Sequence, residues 1–237
     1  MAGAQAKIGQ ASAGLRLLTA LAALAPTPAL AGAWIAPKGG QEIWTNVAGQ
    51  RDGLTYYESS SYIEQPIGHE TSLVLAPWVE QNYDTVDGWR AEATLAAKHV
   101  VLRHDETVVA IQAGALWISH PNEGCSEGGA EVRVLAGRPV GEHAFVNVEA
   151  AARALEGGCE SRRLDLTAGY HAGRSWLALG QLYFDDPQDG QDSIKAELTL
   201  VHFSRRGRGL QIGIRARLDG DDAEPALVLG VWGRPHS

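Results

Sequence analysis

Thirteen charged residues fall into a repeating arrangement that sets the chemistry open to this chain. Arg90, Glu92 and Lys98 share one parity, as do Glu131 with Arg133, Glu149 with Arg153, Arg163 with Asp165, Lys195 with Glu197, and Arg215 with Arg217. The residues between and beside them are mostly Ala, Val and Leu. Successive side chains in an extended strand point to opposite faces, so each run carries charge on one face and none on the other. Enclosed by a sheet, these groups would line an axis and form cross-strand ion pairs. Eight cations against five carboxylates would give that axis a slight preference for anions. Arg133, Glu149, Arg153, Arg163 and Asp165 lead the candidate lumen residues, because three consecutive runs place them on the charged face.

Catalytic and metal chemistry is poorly represented. Ser119 and His120 are adjacent, which aims them apart in an extended strand. His99, His143, His171 and His202 stand in separate runs with no evident partner, and neither a Gly-Xaa-Ser-Xaa-Gly elbow nor a His-Glu-Xaa-Xaa-His pair occurs. An enzyme is therefore not expected, and no cofactor is implied. Residues 185–192 and 219–224 are acidic enough to attract calcium, but neither stretch has the spacing of an EF-hand loop. They read as solvated turns, with no metal site.

Twelve strands would carry these side chains, at roughly 40–48, 54–63, 71–82, 89–102, 106–118, 130–137, 143–155, 162–171, 175–184, 194–203, 208–218 and 225–233. Val146, Val148, Ala150, Ala152 and Ala154 form one face of the seventh, and Asn147, Glu149 and Arg153 the other. Leu210, Ile212 and Ile214 oppose Gln211, Arg215 and Arg217 in the eleventh. A soluble lipocalin-like barrel or sandwich would alternate in the same way with its apolar face inward, so the period alone leaves that alternative open.

Three features favour the membrane. Connections after odd strands are mostly longer and acidic, and those after even strands short and often basic, as in outer-membrane barrels. Nearly all sixteen aromatic residues fall near strand ends. Tyr57, Tyr83, Trp89, Trp117, Tyr183 and Phe184 would form one interfacial girdle, and Tyr62, Phe145, Tyr170, Trp176, Phe203 and Trp232 the other. Cys125 and Cys159 follow the fifth and seventh strands, hence lie at one rim, where a disulfide could join them.

Residues 1–31 contain Lys7 and Arg16, an apolar run from Leu15 to Ala25, and a close at Ala29-Leu30-Ala31. These are the parts of a cleavable secretory signal peptide, with cleavage expected after Ala31. The remaining 206 residues hold 18 Lys and Arg against 28 Asp and Glu, about −10 net, which argues against a nucleic-acid partner. An oxidising compartment suits the two cysteines. One domain, residues 32–237, is expected.

Gly32-Ala33-Trp34 followed by Pro37-Lys38-Gly39-Gly40 resembles the opening of uncharacterised porin-like outer-membrane proteins of Gram-negative bacteria, some encoded beside exopolysaccharide genes. The resemblance implies an outer-membrane β-barrel tied to transport or to envelope polysaccharide, and supplies no site residue. The expectation is an all-β, up-and-down antiparallel barrel in contact with outer-membrane lipid. It would act as a narrow channel for small polar solutes or as a sealed scaffold whose loops hold exopolysaccharide or protein. The oligomeric state is not legible. The ending Val231-Trp232 followed by Gly233-Arg234-Pro235-His236-Ser237 differs from the terminal aromatic residue common in such barrels.

Overall fold

A computed structural model describes residues 32–51, 54–81, 88–121, 124–187, 192–205, 207–219 and 224–233. The leader 1–31 and Tyr83 lie outside these residues, as do 188–191 and 220–223 of the two acidic loops.

Alternation built into the sequence becomes twelve strands: β1 (Gln41–Arg51), β2 (Leu54–Pro66), β3 (Thr71–Gln81), β4 (Trp89–His104), β5 (Thr107–Ile118), β6 (Gly128–Val140), β7 (Ala144–Leu155), β8 (Cys159–Ala172), β9 (Trp176–Pro187), β10 (Ser193–Phe203), β11 (Gly209–Arg217) and β12 (Glu224–Gly233). Each pairs antiparallel with its sequence neighbours, and β1 pairs with β12 to close the barrel. Closure satisfies every strand edge, which hydrocarbon demands because no water is present to bond a free backbone group.

β1, β2, β4, β6, β8 and β9 run a few residues past their expected ends, because tight turns rather than the apolar period terminate them. Asp105-Glu106 joins β4 to β5, with Asp105 at φ 51, the left-handed conformation that two-residue hairpins use. A bulge between Val100 and Leu102 inserts one residue into β4 and leaves Val101 and Leu102 both exposed.

Every strand contributes large apolar side chains to the outer surface. Leu95, Leu198, Leu210, Ile212 and Ile214 are 56–68% exposed, whereas Arg153 and Glu92 are 7% and 6% exposed in the interior. A soluble monomer does not present an apolar band around its whole girth, but a bilayer solvates one. The soluble lipocalin-like alternative, with the apolar face inward, is thereby overturned. Val146 and Ile212 face outward, and Arg153 and Arg215 face inward.

β1 begins and β12 ends at the same end of the barrel, with turns 67–70, 105–106, 141–143 and 173–175. At the other end, where β7 leads into β8, the loop expected over 156–161 shrinks to 156–158 because β8 begins at Cys159. Cys125 and Cys159 form a disulfide there, Cα atoms 5.8 Å apart, joining the β5–β6 loop to the start of β8.

The two aromatic girdles need correction. Tyr57, Trp89 and Trp117 point outward at the loop end, and Tyr170 and Trp176 at the terminal end. Phe145, Phe203 and Trp232 instead pack inside, Tyr62 bonds Glu64 in the interior, and Tyr183 lies beneath Arg215. Height along a strand does not set direction; parity does, and these five share the parity of the inward charges.

Candidate functional site

The interior has two zones, and residues 32–40 divide them. This stretch precedes β1, belongs to no strand, and enters the barrel from the terminal end. Ala33 is fully buried among Val100, Val108, Ala110 and Leu135, with Trp34 and Ile35 packed on the same cluster. Trp34 also meets a second cluster of Phe145, Leu177, Leu179, Val201 and Trp232, lying edge-on to Phe145 at 6.2 Å. Burying a large aliphatic or aromatic side chain in this way contributes roughly 1.5–3 kcal/mol. The wall is shaped for the indole, since a Cβ on Gly137 would run into the Trp34 ring. The inward residues of β5, β6, β7, β9, β10 and β12 at this end are therefore mostly apolar, which charge parity alone did not reveal.

Polar groups hold the backbone of the same stretch. Lys98 Nζ donates to the carbonyl oxygens of Gly32 at 3.0 Å and Trp34 at 2.9 Å, and to Glu64 Oε2 at 2.7 Å. Glu64 Oε1 accepts the Ala36 N–H at 3.0 Å and the Ser72 hydroxyl at 2.6 Å, and Asn147 Oδ1 accepts the Ala33 N–H at 3.1 Å. Lys98 and Glu64 are both fully buried; a charge in that position is tolerable only with this density of partners.

Beyond this layer the interior is ionic. Arg133 reaches Glu149 at 2.8 Å, Glu131 at 3.3 Å and Asp165 at 3.4 Å. Arg153 bonds Glu131 at 2.6 Å and Glu92 at 2.8 Å, while Arg163 bonds Asp185 at 2.8 Å and Glu92 at 3.4 Å. Arg90 also contacts Glu92, at 3.1 Å. On the opposite wall Arg215 joins Glu197 and Glu58, each at 2.8 Å, over the ring of Tyr183. Lys195 lies half-buried on β10, and Arg217 pairs with Asp219 beyond the end of β11 at 2.9 Å. The structure thus gathers twelve of the thirteen expected charges, with Asp185, Glu58 and Glu64 added, into one enclosed volume, and directs Arg217 toward a loop.

The expected cationic excess disappears. Glu58, Glu64, Glu80 and Asp185 also face inward, so seven of the expected cations meet nine carboxylates among the described residues, and the basis for anion preference is gone. Glu64 and Asp185 lie just past the expected ends of their strands, while Glu58 and Glu80 sit in runs whose alternation is weak. Extending the parity of Tyr56 along β2 would have found Glu58 and Glu64.

Arg153, Glu131, Glu92, Glu64 and Lys98 are each at most 7% exposed, so water has almost no contact with these charges. Ion pairs cross the lumen from β8 to β4 and from β11 to β2, while Arg163, Asp165 and Glu149 keep partial exposure of 28, 24 and 18%. Ser119 and His120 also differ from expectation. They sit in a bend after β5, where His120 at φ 105 brings Nδ1 to 3.1 Å from Ser119 Oγ, while that oxygen accepts the Ala91 N–H at 2.8 Å. Among the described residues, no three His, Cys, Asp or Glu side chains are gathered as metal ligands.

No protein-family model matches the chain. No curated protein matches it either. Solved structures do share its fold. The KdgM porin superposes with a TM-score of 0.58 at 10% identity, covering 83% of this chain and 99% of that one. The COG4313 outer membrane channel from Pseudomonas putida F1 gives 0.58 at 11% identity, covering 87% and 98%. The NanC porin gives 0.58 at 11% identity, covering 79% and 98%. At such identities the likeness is one of architecture.

Proposed function

We propose that this chain is an outer-membrane conduit for small polar solutes, oligosaccharides among them, seen in a closed state. The observation that carries this reading is the pairing of an apolar outer belt with an interior of ionised side chains enclosed by twelve strands. Closed barrels of about this width lie between those filled by side chains and those holding an aqueous channel. The architecture it shares with channels supports the same direction, and one of those structures is a KdgM porin in complex with disordered oligogalacturonate. Export behind residues 1–31, removed after Ala31, would deliver the barrel to the outer membrane.

Planar-bilayer recording on the purified barrel tests the reading. Discrete conductance steps that respond to changes in the luminal ion pairs are expected. Membrane fractionation should place the chain in the outer membrane, and an unheated sample should run faster on a gel than a heated one. A folded barrel that stays silent under all voltages would overturn the conduit.

One observation favours a second reading. Cross-lumen ion pairs, each with one carboxylate buried, could exist only to hold the walls together, leaving a non-conducting scaffold whose loop end binds envelope polysaccharide or protein. Permanent silence in bilayers, with binding retained at the loop end, is the outcome that selects it.

A further inference from the structure

We propose that residues 32–40 form a displaceable plug, a built-in ligand of the lumen that closes its terminal end and leaves by swinging on Gly39 and Gly40. The inference rests on the conduit reading for its purpose, but not for its geometry.

The segment is not part of the wall. The barrel closes without it, since β1 and β12 pair from Glu42 with Gly233 through Gly49 with Ala226. Side chains, rather than a sheet ladder, hold its backbone: Lys98 bonds the Trp34 carbonyl, and Glu64 and Asn147 accept the Ala36 and Ala33 N–H groups. Among the described residues, its backbone bond is internal, from Gly40 N–H to the Pro37 carbonyl at 2.8 Å.

Withdrawal leaves the anchoring side chains paired. Lys98 keeps Glu64 at 2.7 Å and Tyr62 at 3.2 Å. Glu64 keeps the Ser72 hydroxyl at 2.6 Å, and Asn147 keeps Glu149 at 2.8 Å. A group that loses its only partner in a buried site makes release costly; here every anchor has a second partner in the wall. The apolar clusters lose Ala33 and Trp34 but become the lining of a vestibule.

The hinge is equally specific. Gly39 at φ 96 and Gly40 at φ 80 are consecutive left-handed residues immediately before Gln41. Glycine takes such angles without the Cβ clash that other residues suffer, so rotation there meets little resistance. Lys38 is exposed at the mouth.

Cysteine accessibility tests the plug without relying on current. Ala110 is fully buried beneath Ala33, and the two native cysteines are joined in a disulfide at the far end. Ala110→Cys should resist a bulky, membrane-impermeant maleimide in the full barrel and be labelled to completion when residues 32–40 are deleted. Heat-modifiable gel mobility checks that each variant is folded. Trp34→Ala in the full chain is the second variant, and should give labelling between the two extremes. Rapid labelling in the full barrel, or protection that survives both changes, would overturn the plug. Labelling of the deletion variant without any conductance would uphold the plug and defeat the conduit reading.

Discussion

Arg163 on β8 and Glu92 on β4 meet within the barrel, Nη2 to Oε2 at 3.4 Å, although three strands separate them in the wall. Glu92 also receives Arg153 at 2.8 Å and Arg90 at 3.1 Å, so one carboxylate is shared by three guanidinium groups drawn from three strands. The consequence is mechanical as well as electrostatic, because that carboxylate ties β4 to β7 and β8 through the interior rather than along the wall.

Glu92→Ala should therefore destabilise the barrel sharply. Breaking a buried pair by removing one partner typically costs about 3–5 kcal/mol, since the remaining charge is left uncompensated. The two guanidinium groups of Arg153 and Arg163 would also repel each other. Urea unfolding in micelles should report the loss, and bilayer recording should show larger or more frequent openings in the surviving folded fraction. An unchanged unfolding midpoint would mean that Glu92 does not hold the walls.

The disulfide between Cys125 and Cys159 closes a loop with a sequence separation of 34. Loop-closure entropy predicts that removing it lowers stability by about 3–4 kcal/mol. The double variant Cys125→Ser with Cys159→Ser should still form a closed barrel, because neither residue serves a luminal ion pair. A lower thermal midpoint with retained heat-modifiable mobility is the expected result. Equal midpoints in oxidised and reduced protein would show that the bridge contributes nothing.

How much of this was legible beforehand follows from where periodicity operates. All twelve strands could be read because Val146, Val148 and Ala150, like Leu210, Ile212 and Ile214, repeat a two-residue period that each strand expresses locally. The insertion of Gly32 to Gly40 was not legible, since a stretch with no period reads as an ordinary lead-in to β1. Its burial depends on Gly137, Phe145 and Lys98, which are contributed by three distant strands. Tyr62, Phe145 and Trp232 were misplaced because closeness to a strand end was given more weight than parity. Ser119 and His120 were misjudged because the extended geometry assumed for them ends at Ile118.

Asp219 offers a pH signature outside the membrane strands. Arg217 donates to both of its oxygens, at 3.0 and 2.9 Å, and the Ile194 N–H adds a third bond at 3.1 Å. The hydrogen bonding from Arg217 leads in pulling the carboxyl down from 3.8 to about 2, with smaller help from backbone N–H groups. A depressed folded-state value means the stabilisation is fully present above the unfolded value and fades as pH falls through the folded one. Wild type should thus exceed Asp219→Asn in thermal stability at neutral pH, with the gap closing between about pH 4 and pH 2. A gap that persists unchanged to the acid end would show that the contact with Arg217 is not ionic.

Ile212 decides what surrounds the barrel. It is 56% exposed in the middle of β11, opposite Leu200 on β10 and Leu229 on β12, both also exposed. If that surface meets hydrocarbon, Ile212→Arg should cost about 2–4 kcal/mol, the range found for a cation near the midplane of a lipid-facing strand. The same substitution on a water-facing strand would change stability by only a few tenths, because an exposed guanidinium stays hydrated. Leu218→Arg, beyond the end of β11, is the internal control, since a cation near the interface costs about 0–1 kcal/mol. Unfolding in lipid vesicles should separate the two variants clearly. Equal and small effects at Ile212 and Leu218 would place water, not lipid, against the apolar belt.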